Sequence, residues 1–132
     1  MDFYLNPENS SNRLIEEYNK YGTLVVAFDF DDTIYDFHKK GRTYNSVIKL
    51  LQELKSINCY MICWTGNQDL EMVINYLNEN KIPFDALNEH PPFRKSESRK
   101  IYANVYIDDR AGLKQVFDEL NSLIATVKAK TI

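Results

Sequence analysis

TLVVAFDFDDTIY, Thr23 to Tyr35, decides the fold of this 132-residue chain. Leu24 to Phe28 is an unbroken apolar run rich in β-branched and aromatic residues. A strand with one wet face alternates in polarity. This run does not, and so predicts a strand buried on both faces of a mostly parallel sheet. It stops at three carboxylates within four positions, Asp29, Asp31 and Asp32, followed by Thr33. Asp29 and Asp31 are two apart and point the same way for as long as the strand persists. Acids this close repel one another and raise at least one proton affinity, which a cation with oxygen ligands relieves. The carboxyl end of a parallel strand is also where open α/β sheets hold their ligands. The plain alternative is an acidic turn in which Asp32 or Thr33 acts as a cap. It weakens once a second acidic strand end is found.

Upstream of this stretch, residues 1 to 9 read as an irregular start containing Pro7. Ser10 or Ser11 then caps a helix to about Tyr21, and Gly22 stops it. Downstream, Tyr35 to Tyr44 is a polar connection too short for a second domain, so any lid is a small loop. Lys39, Lys40 and Arg42 in it are candidate anion contacts. Asn45 to Ser56 is a helix capped by Asn45 or Ser46, with Val47, Leu50, Leu51 and Leu54 inward. Cys59 to Trp64 is the second buried strand, ending in Thr65-Gly66-Asn67. Asp69 lies in the first turn of a helix that runs to about Asn78. A short third strand, FDAL, falls within Ile82 to Leu87, and Asn88 to Ser98 is a loop with two prolines. Ile101 to Ile107 leads into a fourth strand, VYI, which ends in Asp108-Asp109-Arg110. A terminal helix follows Gly112, with Leu113, Val116, Phe117, Leu120 and Ile124 on one side; the tail after Thr126 is ambiguous. Alternating strands and helices predict a three-layer α/β, Rossmann-like fold with a small, mainly parallel sheet and no substantial cap. The whole length, 1–132, reads as one domain, with 1–22 as an N-terminal extension and helix.

The composition narrows the function classes. Sixteen basic and nineteen acidic residues leave a formal charge of −3, with no general attraction for nucleic acid. Cys59 and Cys63 are four apart along one strand, too distant to bridge, and read as buried thiols. His38 and His90 are isolated, which argues against zinc. Nothing resembles a secretory signal or a membrane span, and a cytoplasmic location is expected.

If the strands are parallel, Asp29, Asp31 and Asp108 converge as hard oxygen ligands suited to Mg²⁺, with Thr65 nearby. A phosphoryl group is the electrophile that most needs such a site. FDFDDT (Phe28 to Thr33), ICWTGN (Ile62 to Asn67) and VYIDDR (Val105 to Arg110) resemble, in order and in strand context, the haloacid dehalogenase-like superfamily of phosphohydrolases in its minimal-cap form. The resemblance covers about Leu24 to Leu120. It implies that Asp29 is the nucleophile and Asp31 the general acid, then base. It also implies that Asp29, Asp108 and the backbone carbonyl of Asp31 ligate Mg²⁺, with Asp109 in support. Thr65 and the amide after it, with Gly66 and Asn67, would hold the phosphate. Thr33 would steady the loop, and Asp32 stands where many members have glycine. The family also uses a lysine, for which Lys100 is the first choice and Lys95 the second. Apart from the resemblance, Arg42 is a candidate substrate contact, with solvated surface the plainer reading, and Arg110 either pairs with a carboxylate and fixes the acidic loop or faces solvent.

A Mg²⁺-dependent phosphomonoesterase acting on a phosphorylated small molecule is therefore expected. A nucleotidase, a nucleic-acid end phosphatase, a phosphotransferase and a phosphate-binding module without turnover are the alternatives. An uncapped cleft also admits closure by a second copy of the chain, a homo-oligomer. No membrane partner is expected.

Overall fold

A four-stranded parallel sheet forms the middle of the structure, a computed structural model that describes residues 1–130. Its strands are β1 (Val25–Phe28), β2 (Tyr60–Cys63), β3 (Ala86–Leu87) and β4 (Val105–Ile107), in spatial order β3-β2-β1-β4. In register, Phe28 lies opposite Cys63 on one side and Ile107 on the other. The carboxyl ends of β1, β2 and β4 therefore finish level. Asp29, Trp64-Thr65 and Asp108 are the next residues in each, and one edge of the sheet gathers all of them.

Strand β1 is buried along its whole length, as its unbroken apolar run requires. Its two faces meet different layers. Val26 and Phe28, with Met61, Cys63, Val105 and Ile107, share one core with buried residues of four helices. These are α1 (Pro7–Tyr21), α2 (Asn45–Ser56), α3 (Leu70–Glu79) and α4 (Leu113–Lys130). Val25, Ala27 and Ile62 point the other way, onto Ile101, with Tyr60, Tyr102 and Tyr106 around them. That second face is covered by the irregular segment 88–104. The result is a Rossmann-like three-layer arrangement in which helices form one outer layer and irregular chain the other. By alternation along the strands, Asp29 and Asp108 belong with the second face.

Several boundaries differ from the sequence reading for identifiable reasons. Helix α1 starts at Pro7, not at Ser10 or Ser11. Asn6 caps it by accepting the Glu8 amide at 3.1 Å, and proline at the first helical position suits an amide that has no partner there. Gly22 ends it at φ +70. Helix α2 includes Asn45, and Tyr44 stands at its cap without a side-chain hydrogen bond. In α3, Asp69 is the cap itself and accepts the Met72 amide at 3.2 Å. β2 is shorter than expected, and β3 retains only Ala86–Leu87 of FDAL. Asp85, just before β3, instead binds the Met61 amide and Lys55, each at 2.8 Å. Helix α4 continues through the ambiguous tail to Lys130, and residues 131–132 lie outside the described residues. Cys59 and Cys63 are buried and unbridged. Burial pushes their thiols up, to about 11 and about 12, which keeps them protonated and inert. No helix among the described residues is long and apolar enough to cross a membrane.

Candidate active site

The chain leaving β1 folds back at once. The Phe30 carbonyl accepts the amides of both Ile34 and Tyr35 at 3.1 Å, which turns Asp31 to Ile34 into a tight loop over the strand end. Asp32 takes φ +59 in this loop. A left-handed conformation is costly for most side chains but tolerable for Asp, which explains how the residue occupies a place suited to glycine. Its carboxylate lies 2.9 Å from Nδ1 of His38.

Thr33 is fully buried and its hydroxyl joins the two acidic strand ends. Its Oγ1 lies 3.0 Å from Asp29 Oδ2 and 3.0 Å from Asp109 Oδ1, and it accepts the Asp109 amide at 3.0 Å. A hydroxyl has one proton, so it donates to only one of the two carboxylates at a time. One oxygen from each of Asp29, Asp108 and Asp109 falls within 4.8 Å of the others. The electrostatics follow. Burial, the Asp109 carboxyl and the Asp108 charge push Asp29 up to about 7, against the pull of Thr33 and the Phe30 backbone. Burial also works against ionised Asp109, but hydrogen bonds with Asp29, Thr33 and Asp108 outweigh it and hold that carboxyl below its ordinary value. Without a cation, Asp29 is the member of the pair that favours the proton, and it holds it below about pH 7. Hard oxygen donors, crowded and over-charged, are a donor set that could hold a hard divalent cation. Asp109 thus belongs to the cluster itself, a larger part than its sequence position suggested.

Asp31 faces the same cavity, of about 320 Å³, which is lined by Asp29, Asp31, Asp32, Phe37, His38, Asp108, Asp109 and Arg110. Asn67 is engaged at its backbone amide, its side-chain oxygen and one of its two side-chain N–H groups. Its side-chain amide donates to Asp31 Oδ1 at 3.0 Å, and its backbone amide donates to Thr65 Oγ1 at 3.0 Å. It is a positioning residue that orients Asp31 and links it to Thr65. The Thr65 amide is also taken, by Asn88 Oδ1 at 2.8 Å, so the Thr65 hydroxyl proton is what remains to offer. A side chain at Gly66 would meet nothing within 4 Å, which leaves open space beside the turn.

Three of the expected residues are not among those that line this cavity. Neither Lys100 nor Lys95 lines the acidic cavity. The segment 88–104 between β3 and β4 is irregular, and the Lys100 ammonium sits over the Tyr106 ring, 5.3 Å from its centroid. Arg42 does not line the cavity either. Asp36 accepts the amides of Lys40, Gly41 and Arg42 at 3.1, 2.8 and 3.2 Å, which curls this loop on itself. The cationic groups that do line the cavity are Arg110 and, when protonated, His38. The Arg110 backbone amide donates to Asp108 Oδ1 at 2.9 Å and fixes that carboxylate, a contact that does not involve the guanidinium. Sequence reasoning missed Phe37 and His38 as cavity walls and Asn88 as the partner of Thr65. No spacing or motif marks them; only the folded loops bring them in.

A scan of protein-family models finds no match, and a comparison with curated proteins finds none either. Among solved structures, a conserved protein coded by a locus from Bacteroides thetaiotaomicron is similar, at 24% identity and a TM-score of 0.61. The match covers 82% of this chain and 92% of that one. The likeness is one of fold, and it supports the Rossmann-like α/β architecture described above.

Proposed function

We propose that the chain is a Mg²⁺-dependent phosphatase that hydrolyses phosphomonoesters through an aspartyl-phosphate on Asp29. One observation carries this reading: Asp29 from the end of β1 meets Asp108 and Asp109 from the end of β4, with carboxylate oxygens within 4.8 Å. In the reading, Asp29, Asp108 and the backbone carbonyl of Asp31 hold the ion, and Asp109 supports them. Bound there, Mg²⁺ supplies positive charge for the phosphoryl oxygens and keeps Asp29 ionised.

Asp29 attacks phosphorus in line, and the bond from phosphorus to the leaving oxygen breaks. Asp31, held at one oxygen by Asn67, gives its proton from the other to that leaving oxygen. Asp31 then takes a proton from the water that attacks the aspartyl-phosphate, which releases phosphate and restores Asp29. Thr65 donates its hydroxyl to the transferring group, and Arg110 adds charge at the rim. The cavity wall of Phe37 and His38 suits a phosphorylated small molecule.

Turnover of p-nitrophenyl phosphate tests the reading. Activity that needs Mg²⁺ and falls by about 10³-fold or more in Asp29→Asn supports it, since removing a covalent nucleophile costs on that order. A second reading, a phosphate-binding module without turnover, is favoured by the position of Lys100 and Lys95 outside the acidic cavity. Absence of turnover across a broad phosphoester panel selects it.

A further inference from the structure

Another cavity, of about 360 Å³, has the opposite chemical character. Arg94, Ser96, Ser98 and Lys100 line it, together with Tyr102 and Tyr106, and no acid does. Among the described residues neither cation is paired with a carboxylate. The Arg94 guanidinium lies 3.9 Å from the Tyr102 ring centroid, and the Lys100 ammonium 5.3 Å from that of Tyr106. A ring face positions a cation without neutralising it, so both charges stay available to an anion. The hydroxyls are also set to donate. Ser96 Oγ accepts the Ser98 amide at 3.1 Å, and Ser98 Oγ accepts the Lys100 amide at 3.2 Å. Each keeps its own proton to give.

The cavity adjoins the candidate active site through the sheet. Tyr106 and Asp108 are two residues apart and lie on the same side of the chain, about 7 Å along it. The Tyr106 ring is 5.8 Å from that of Trp64, the residue before Thr65. We propose that this cavity holds a second phosphate of the same substrate. The substrate class is then a small molecule carrying two phosphates, one among Arg94, Ser96, Ser98 and Lys100 while the other meets Asp29. This rests on the phosphatase reading for the reaction, though not for the binding. A long polyanion fits less well, because the chain carries a formal charge of −3 and the neighbouring cavity is lined by five aspartates.

The test measures binding by calorimetry in the Asp29→Asn protein with Mg²⁺, so that no probe is consumed. Fructose 1,6-bisphosphate is compared with fructose 6-phosphate, and adenosine 3′,5′-bisphosphate with adenosine 5′-monophosphate. A 5′-phosphorylated tetranucleotide is the polyanion arm. The expected result is at least one bisphosphate bound about tenfold more tightly than its monophosphate, as two charged donors allow. Adding Arg94→Ala, or Ser96→Ala as a milder change, shrinks that margin and leaves monophosphate binding unaltered. The proposal is overturned by equal affinities in both pairs, by a margin that Arg94→Ala leaves intact, or by tighter binding of the tetranucleotide than of either bisphosphate. Wild-type turnover is read separately. A binding margin with no turnover of any probe sinks the phosphatase reading and keeps the subsite. Turnover of each pair at equal kcat/KM, with equal affinities, does the reverse.

Discussion

Thr33 and its three acidic neighbours set the behaviour of the site at the scale of single residues. Asp29 is raised from an ordinary 3.8 to about 7. In the metal-free protein the folded state therefore holds a proton that the unfolded state releases as pH rises from about 4 to about 7. The stability this contributes is complete below the lower value and is lost as pH climbs through the upper one; the lowered Asp109 opposes it in part. Asp29→Asn removes the titration. Thermal unfolding across pH should show the variant gaining on the wild type as pH rises from 4 to 8, by about 1–2 kcal/mol after discounting for solvent screening. Parallel pH profiles contradict the assignment. The acids themselves were legible in the sequence, since three carboxylates ending an apolar strand have few other uses. Which of them crowd together was not. The part played by Asp109 depends on the hydroxyl of Thr33, 76 residues away in sequence, crossing between the two strand ends.

At the scale of elements, the segment 88–104 replaces a helix as one layer of the fold and has to be held without a helix's own hydrogen bonds. Asn104 does much of this. Its amide donates to the Val25 carbonyl at 2.8 Å, and its side-chain oxygen accepts the Val25 amide at 2.6 Å. Its side-chain amide reaches Glu17 on α1 at 2.9 Å. His90 fastens the middle of the segment: one ring nitrogen lies 2.7 Å from the Ser98 carbonyl, and the other accepts the Tyr102 amide at 3.2 Å. Asn104→Ala leaves the Val25 amide buried and unpaired, and should cost about 2–3 kcal/mol in urea unfolding. A loss below about 0.5 kcal/mol means that the segment is held elsewhere. Apolar runs and helical periodicity made the strands and helices legible, with errors at caps that needed geometry, such as Asn6 before Pro7. The pins of segment 88–104 were not legible, because a lone Asn or His carries no periodic signal.

Across the whole molecule, the order β3-β2-β1-β4 places two acidic strand ends side by side on the central and edge strands. Alternating strands and helices predicted a mainly parallel sheet, but not this strand order, which only the folded topology supplies. A ligand that binds only the folded state stabilises it by mass action. Mg²⁺ at millimolar concentration should therefore raise the melting temperature of the wild type by several degrees. It should do little for Asp108→Asn, in a scanning fluorimetry comparison. Equal shifts in both proteins place the ion elsewhere. The most direct measurement is anomalous diffraction from crystals grown with Mn²⁺ in place of Mg²⁺. One peak about 2.1 Å from carboxylate oxygens of both Asp29 and Asp108 is the result this account predicts. A fully soaked crystal with no peak there, or with a peak touching only one of the two strand ends, contradicts it.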